Sequence, residues 1–140
     1  MATTNADIII GVILAINGLV LIGVGLVLYH VAGKLVRGEV SRKNNMGIGF
    51  KIKEAYASDE AWYRINREGG KRMIRPSLAV TALGVLVALF GVLMALFGFA
   101  SHTSLLIYDI AMVVILLVLL VPSCGYVIWV KRNERKRKAA

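Results

Sequence analysis

Three long apolar runs constrain this chain more than any other feature of its sequence. They cover residues 8–32, 77–100 and 105–130. A helix needs roughly 20 apolar residues to cross a hydrocarbon core about 30 Å thick, and each run exceeds that length. Hydrophobic side chains make up 58% of the chain and charged ones 18%, whereas soluble domains are about 45–50% apolar. We therefore expect one all-α membrane domain, residues 1–140, with three transmembrane helices.

The basic residues predict how these helices are oriented. None of the 17 Lys and Arg residues lies in residues 1–7 or 100–104, whereas eleven lie in residues 34–75 and six in residues 131–138. Lys and Arg accumulate in cytoplasmic segments, so we expect the N-terminus outside, and the loop and the basic tail (residues 131–140) inside. Topology and the anionic headgroups of the inner leaflet account for the net charge of +9, so no nucleic-acid partner is expected.

Small residues in the first two runs recur at spacings that suit close helix packing. In lipid an apolar side chain gains nothing by leaving the bilayer, so helices associate where small residues let their backbones approach. The two stripes could face each other as an antiparallel pair or form the seam of a homodimer, or the glycines could simply reflect their frequency in spanning helices. The glycines assigned to this seam are Gly11, Gly18, Gly25, Gly84, Gly91 and Gly98.

Two polar residues stand out within the apolar runs. Asp109 is their one formal charge and Asn17 their one amide. An acid inside a span is a functional-site candidate by default, as a proton carrier or a counter-ion. The sequence favours a simpler interpretation, because Asp109 lies near the outer N-terminus of its predicted helix, where water and the helix dipole stabilise a carboxylate. The rest of the third run predicts the most lipid-exposed helix, kinked near Pro122, with Tyr126 and Trp129 at headgroup level.

The polar loop has its own local signals. Ser58 is a candidate N-cap, followed by Asp59 and Glu60 in the first turn, where the helix dipole favours acids. We expect an amphipathic helix from Asp59 to about residue 72 on the inner leaflet, with Pro76 then starting the second span. Alternation of apolar residues over 46–53 predicts a brief strand or an extended surface segment.

The loop contains a spaced set of residues: Asn45, Gly49-Phe50-Lys51, Ser58-Asp59-Glu60-Ala61-Trp62, Asn66-Arg67 and Gly70. In this pattern the loop resembles the SdpI-like family of small bacterial membrane proteins. The resemblance implies a multi-pass protein of the bacterial plasma membrane that acts in toxin immunity or signal transduction. In the best-known member it implies protection against a secreted peptide toxin and capture of a transcriptional repressor. Lys51 stands where the family usually has Arg, and Lys53 where it usually has Pro.

Two interpretations of these loop residues stay open. In the functional one they form a cytoplasmic surface that binds a partner or a lipid headgroup, with an apolar Trp anchor and basic charge. In the structural one, which the sequence slightly favours, glycine permits a turn, Trp62 inserts at the interface or under the loop, and Asn66 ties loop carbonyls to the helix. The candidate site residues are Asn45, Gly49, Lys51, Trp62, Asn66 and Arg67.

Catalytic and metal chemistry find little support in the sequence. It contains no phosphate-binding loop and no nucleophile motif, and no second ligand stands at helical spacing from His30 to hold a metal. We therefore expect no enzyme activity, no metal and no cofactor. The expected partners are membrane lipids and either another membrane protein or a cytoplasmic regulator, with a homodimer as an option. The alternatives are an accessory subunit of a larger membrane complex, or a small transporter that works through Asp109 and Asn17.

Overall fold

The chain is all-α, as its sequence predicts. In the computed structural model, helix α1 spans Asn5–Arg37, a 3-10 turn spans Ala55–Ala57 and helix α2 spans Asp59–Phe97. Residues 124–134 are also helical. Residues 47–53 form a loop, and no strand occurs in the described parts of the chain, so the strand option was wrong. The residues that the structure describes are 5–43, 47–98, 110, 112–114, 117, 121, 124–134 and 136.

Helices α1 and α2 are long and apolar enough to cross a membrane. They contain 33 and 39 residues, and only 28% and 22% of their most apolar 18-residue windows are buried inside the protein. A core helix of a soluble protein would be mostly buried, so these values support a membrane protein. Half of the third predicted span, residues 105–130, lies outside the described residues.

Helix α2 differs from its prediction at Pro76. We expected one helix to end near residue 72 and a second to begin at Pro76, but α2 is continuous and Pro76 lies inside it. Proline removes one intrahelical hydrogen bond, yet spanning helices tolerate it where neighbouring side chains satisfy the backbone. The hydroxyl of Ser77 donates to the carbonyl of Met73 at 2.7 Å, which adds a bond at this turn. The predicted loop helix and the predicted second span are therefore parts of one continuous helix.

The chain divides into two compact units. The helical unit comprises Met1–Leu26 and Leu78–Val118, and the loop unit comprises Val27–Ser77 and Leu119–Ala140. In the helical unit the buried positions of α1 follow one another at spacings of four and three: Asp7, Gly11, Leu14, Gly18, Leu21 and Gly25. This spacing is typical of a helix that packs along one narrow stripe.

Backbone contact between α1 and α2 explains the glycines of this stripe. A Cβ atom on Gly11 would lie 2.6 Å from the Gly91 carbonyl oxygen, and one on Gly18 would lie 2.3 Å from the Ala88 nitrogen. A Cβ atom on Gly84 would lie 2.7 Å from the Ile22 nitrogen. The contacts run in opposite directions along the two helices, so the stripes face each other as an antiparallel pair within one chain.

Gly98 was assigned to this seam, and the structure gives it a different role. Its φ is +69° and its N–H donates to the Met94 carbonyl at 3.0 Å. A left-handed residue with this bond is a common helix end. Gly98 therefore terminates α2, because only glycine adopts such a conformation without strain.

Candidate functional site

The candidate site begins at the N-terminus of α2. The hydroxyl of Ser58 accepts a hydrogen bond from the N–H of Ala61 at 3.0 Å, and Asp59 and Glu60 occupy the first turn. The predicted N-cap is confirmed. Because this cap fixes where the helix starts, Trp62, Ile65 and Asn66 share one face, and all of them are buried.

Trp62 is the central side chain of the loop unit. Its exposed fraction is 0%, and its indole N–H donates to the Val40 carbonyl at 2.8 Å. It lies in a cluster with Leu35, Ile65 and Val130. Trp62 thus lies under the loop, one of the two predicted structural positions. The predicted role as an apolar anchor for a partner was wrong, because this side chain is covered by the protein itself.

Asn66 joins the loop to α2 through a different group from the one predicted. The N–H of Phe50 donates to Asn66 Oδ1 at 2.6 Å, and Asn66 Nδ2 donates to the Trp62 carbonyl at 3.0 Å. The loop therefore contributes an N–H rather than a carbonyl. Asn66 is only 2% exposed. Without these two bonds the Phe50 N–H and the side-chain amide of Asn66 would be buried without partners, which is unfavourable.

Gly49 makes this hydrogen bond possible. Its φ is +112°, and a Cβ atom there would lie 2.7 Å from Asn66 Oδ1 and 3.2 Å from the Trp62 ring. Any side chain would both strain the backbone and displace the amide. The glycine predicted at this turn is thus required by close approach as well as by conformation.

Two further glycines on α2 carry close contacts. A Cβ atom on Gly70, the closing glycine of the family pattern, would lie 2.8 Å from the Ala32 carbonyl oxygen. A Cβ atom on Gly69 would lie 2.1 Å from the ring of Phe50 and 2.8 Å from that of Tyr126. Sequence reasoning did not single out Gly69, because its neighbours come from distant parts of the chain.

Residues 124–134 complete the loop unit. The hydroxyl of Tyr126 donates to the Ile65 carbonyl, and its ring lies edge-on to Phe50 with 4.9 Å between centroids. Arg64 pairs with Glu134 at 2.7 Å. Tyr126 is 2% exposed, so its predicted headgroup position was wrong: this side chain is part of the core.

An arginine covers the aromatic pair of the same segment. The guanidinium of Arg72 lies 4.8 Å from the ring centroid of Trp129 and 5.3 Å from that of Tyr126. Such cation–π contacts contribute roughly 0.5–1 kcal/mol at exposed sites. Trp129 itself is 43% exposed. Arg72 therefore helps to hold the helical segment against α2.

Lys51 and Arg67 are the candidate site residues that stay accessible. Both are exposed, and within the described part of the chain neither forms an ion pair, unlike Arg42, which lies 2.8 Å from Asp59. Each follows one partner of the 2.6 Å bond between Phe50 and Asn66. The loop therefore brings two cationic side chains to neighbouring backbone positions.

Two further ion pairs of the loop unit join residues close in sequence. Lys71 lies 2.7 Å from Glu68, and its hydrogen bond lowers the pKa of that carboxyl group. Arg37 pairs with Glu39 and lowers the pKa of Glu39 in the same way. The carboxylates of Glu68 and Glu39 are therefore already paired with neighbouring bases.

The remaining predicted residues are not brought to this site. Asn45 and Asp109 lie outside the described residues. Asn17 donates from Nδ2 to the carbonyl of Ile13 at 3.0 Å, within its own helix. A bond of this kind satisfies an amide in a span without any partner helix.

The chain was compared with models of protein families, with curated proteins and with solved structures. None of the three comparisons gave a match. The similarity to SdpI-like proteins therefore rests on the loop residues alone and stays a prediction.

Proposed function

We propose that the chain is a small multi-pass protein of the bacterial plasma membrane that binds a partner through its cytoplasmic loop, similar to the immunity and signalling proteins of the SdpI-like family. The observation that carries this proposal is the position of Lys51 and Arg67. Both are exposed, and both adjoin the hydrogen bond that fixes the loop on α2.

The packing beneath these bases supports a binding surface. Trp62 and Asn66 are 0% and 2% exposed, so the backbone that carries Lys51 and Arg67 rests on buried side chains. A surface that is ordered before binding loses less conformational entropy when a partner arrives. The structural interpretation of Trp62, Asn66 and Gly49 and the functional one of the two bases are therefore compatible.

The chemistry of the two bases defines the partner. Arginine can form two parallel hydrogen bonds with a carboxylate, whereas lysine supplies a point charge. A partner with an acidic patch fits both, such as the cytoplasmic face of another membrane protein or an acidic regulator. Since exposed charges are screened beyond about 8 Å at physiological ionic strength, binding should weaken with salt.

Photo-cross-linking in intact cells tests this proposal. A benzophenone amino acid at position 51 and one at position 67 should form an adduct with the same protein, and the same amino acid at exposed Arg132 should not. Alanine at Lys51 should reduce the adduct formed from position 67. Adducts with lipid alone, or with unrelated proteins at the two positions, would contradict the proposal.

Cysteine labelling tests the membrane topology separately. In a Cys124→Ser background, an impermeant thiol reagent should label Thr3→Cys in intact cells and should leave Lys136→Cys unlabelled until the cells are opened. The expectation follows from the absence of Lys and Arg in residues 1–7. The reverse labelling pattern would place the loop outside.

An accessory-subunit function has one structural observation in its favour. Gly23 is exposed, and no atom of the described residues lies within 4 Å of a Cβ position there, so a helix of another protein could approach α1 at this residue. The seam glycines Gly11, Gly18, Gly84 and Gly91 are not open to a helix of another protein, because they already contact the other helix of this chain. Co-purification of one large partner at fixed stoichiometry in mild detergent, lost in Gly23→Leu, would support this alternative.

A further inference from the structure

An apolar groove opens on the loop unit beside the last turns of α1. Its volume is about 370 Å³, and it is lined by Val31 and Leu35 of α1, residues 47–50 of the loop and Met73 of α2. None of these residues carries a charged or polar side chain. Ligand pockets typically measure ~300–1,000 Å³ and are mostly apolar, so the groove has room for part of a chain-like apolar ligand.

Most of the charged residues that lie near the groove in sequence are basic. Within three residues of any lining residue the sequence contains seven bases and no acid. Arg37 and Lys71 pair with Glu39 and Glu68, and Arg72 covers two aromatic rings. The other four bases are Lys34, Lys51, Lys53 and Arg75.

A second cleft on the same unit shows that this asymmetry is not general. The cleft measures about 390 Å³ and is lined by Arg64 and Lys136 but also by Glu68 and Glu134. Its mixed lining favours no charged ligand. By contrast, an apolar groove whose flanking segments carry an excess of bases complements a molecule with an apolar tail and an anionic head.

The groove also lies where such molecules are abundant. Val31 and Leu35 belong to the end of α1 that carries Lys34 and Arg37 in its last turn, and these are typical residues for the boundary between hydrocarbon and headgroups. Basic pockets beside spanning helices on the cytoplasmic side bind the headgroups of anionic lipids. We propose that the groove holds an acyl chain of one anionic phospholipid of the inner leaflet, with its phosphate held by the flanking bases.

This inference rests on one part of the proposed function, the insertion of the chain in a membrane, and does not depend on the acidic partner. Its test therefore changes Lys34, Arg75 and Met73 and leaves Lys51 and Arg67 intact. Binding of the acidic partner can fail while lipid retention persists, and the converse also holds, so the two proposals fail separately.

The experiment is native mass spectrometry of the full chain released from nanodiscs of equimolar phosphatidylglycerol and phosphatidylcholine. Recovery in the nanodiscs shows that the chain is inserted. The wild-type chain should retain one phosphatidylglycerol in preference to phosphatidylcholine. Lys34→Glu with Arg75→Glu should reduce that preference about tenfold or more, since each base near an anionic surface adds to binding. Exposed Arg132, changed to Glu together with Lys136→Glu, is the control of equal charge and should keep the preference.

A second pair of variants tests the apolar part without changing charge. Met73→Trp should fill the groove and abolish retention, whereas Leu86→Trp, at a position 63% exposed on α2, should retain the lipid. Circular dichroism verifies that each variant is folded. If charge reversal releases the lipid but Met73→Trp does not, the bases bind headgroups without the groove and the proposal is wrong.

Other occupants would also overturn the proposal. Retention of the two lipids in their bilayer ratio would show that the groove selects no headgroup. In a Cys124→Ser background, a Met73→Cys chain that forms a disulfide-linked dimer in the nanodisc would place a second copy at the groove. Either result excludes a specific anionic lipid there.

Discussion

The two units bury their interiors in opposite ways. In the helical unit the close contacts are between backbones, as at Gly18 and Ala88. In the loop unit large side chains form most of the interior, with Trp62 and Tyr126 at 0% and 2% exposure, and polar bonds such as that from Phe50 to Asn66 reinforce it. The difference fits the membrane insertion that we propose: lipid does not drive apolar side chains inward, so close packing must suffice there, whereas water does drive them inward.

This comparison predicts the largest effect for bulk in the glycine seam. Gly91→Leu should destroy the fold of the helical unit, because a Cβ atom there would already lie 2.4 Å from the Ala15 nitrogen and 2.6 Å from the Gly11 carbonyl oxygen. Backbone cannot move aside as a side chain can, so we expect a loss above about 4 kcal/mol. Yield and thermal unfolding in mild detergent measure it.

Gly23→Leu is the matched control for that change. Gly23 lies on α1 with Gly11 and Gly18, and no atom of the described residues lies within 4 Å of a Cβ position there, so its variant should keep nearly the yield of the wild type. Equal losses for Gly23→Leu and Gly91→Leu would show that helix glycines matter for a reason other than close packing.

The next effect should come from the centre of the loop unit. Trp62→Ala removes a side chain of 0% exposure and the bond to the Val40 carbonyl, which should cost roughly 3–5 kcal/mol of stability. Tyr63→Ala, at the neighbouring position with 42% exposure, should change stability by about 0.5 kcal/mol or less. Denaturant titration followed by Trp and Tyr fluorescence and by circular dichroism gives both values. A similar small effect for the two variants would mean that the loop unit is not held by apolar burial.

A smaller effect is expected from the polar tie alone. Asn66→Leu keeps much of the side-chain volume but leaves the Phe50 N–H without its acceptor, and an unsatisfied buried donor costs about 1–3 kcal/mol. Arg67→Ala, one residue further and exposed, is the control and should be nearly neutral. Faster hydrogen exchange at the Phe50 amide in Asn66→Leu would identify the lost bond, and unchanged exchange would contradict it.

The smallest effect concerns surface charge. Lys71 lowers the pKa of Glu68 through a hydrogen bond, so the pair stabilises the fold above the ordinary Glu pKa, and that contribution is lost as pH falls through the lowered value. Lys71→Ala should raise the Glu68 pKa back toward its ordinary range, and 1 M salt should have a similar but weaker effect. Carbon-detected NMR titration of the Glu68 carboxyl measures both. If Lys71→Ala leaves the Glu68 pKa unchanged, the two side chains do not form this ion pair in solution.

Much of the fold was predictable because its signals are local. The apolar runs determine where α1 and α2 can cross a bilayer, the spacing of Gly11 and Gly18 marks the face that packs, and Ser58 marks where α2 begins. Each is a property of one stretch of sequence governed by helix geometry. The roles of Trp62 and Asn66 were open between burial and binding, since the same residue types serve both.

Only the tertiary structure decided what meets across long separations. Val40 and Trp62, Phe50 and Asn66, and Ile65 and Tyr126 are pairs separated by 22, 16 and 61 residues. No periodicity encodes such pairs, because a hydrogen bond selects a partner by position in space. The continuity of α2 through Pro76 and the burial of Tyr126 have the same origin. The sequence determined which segments are helical and apolar, and packing determined which of its polar and aromatic side chains remain free to bind anything else.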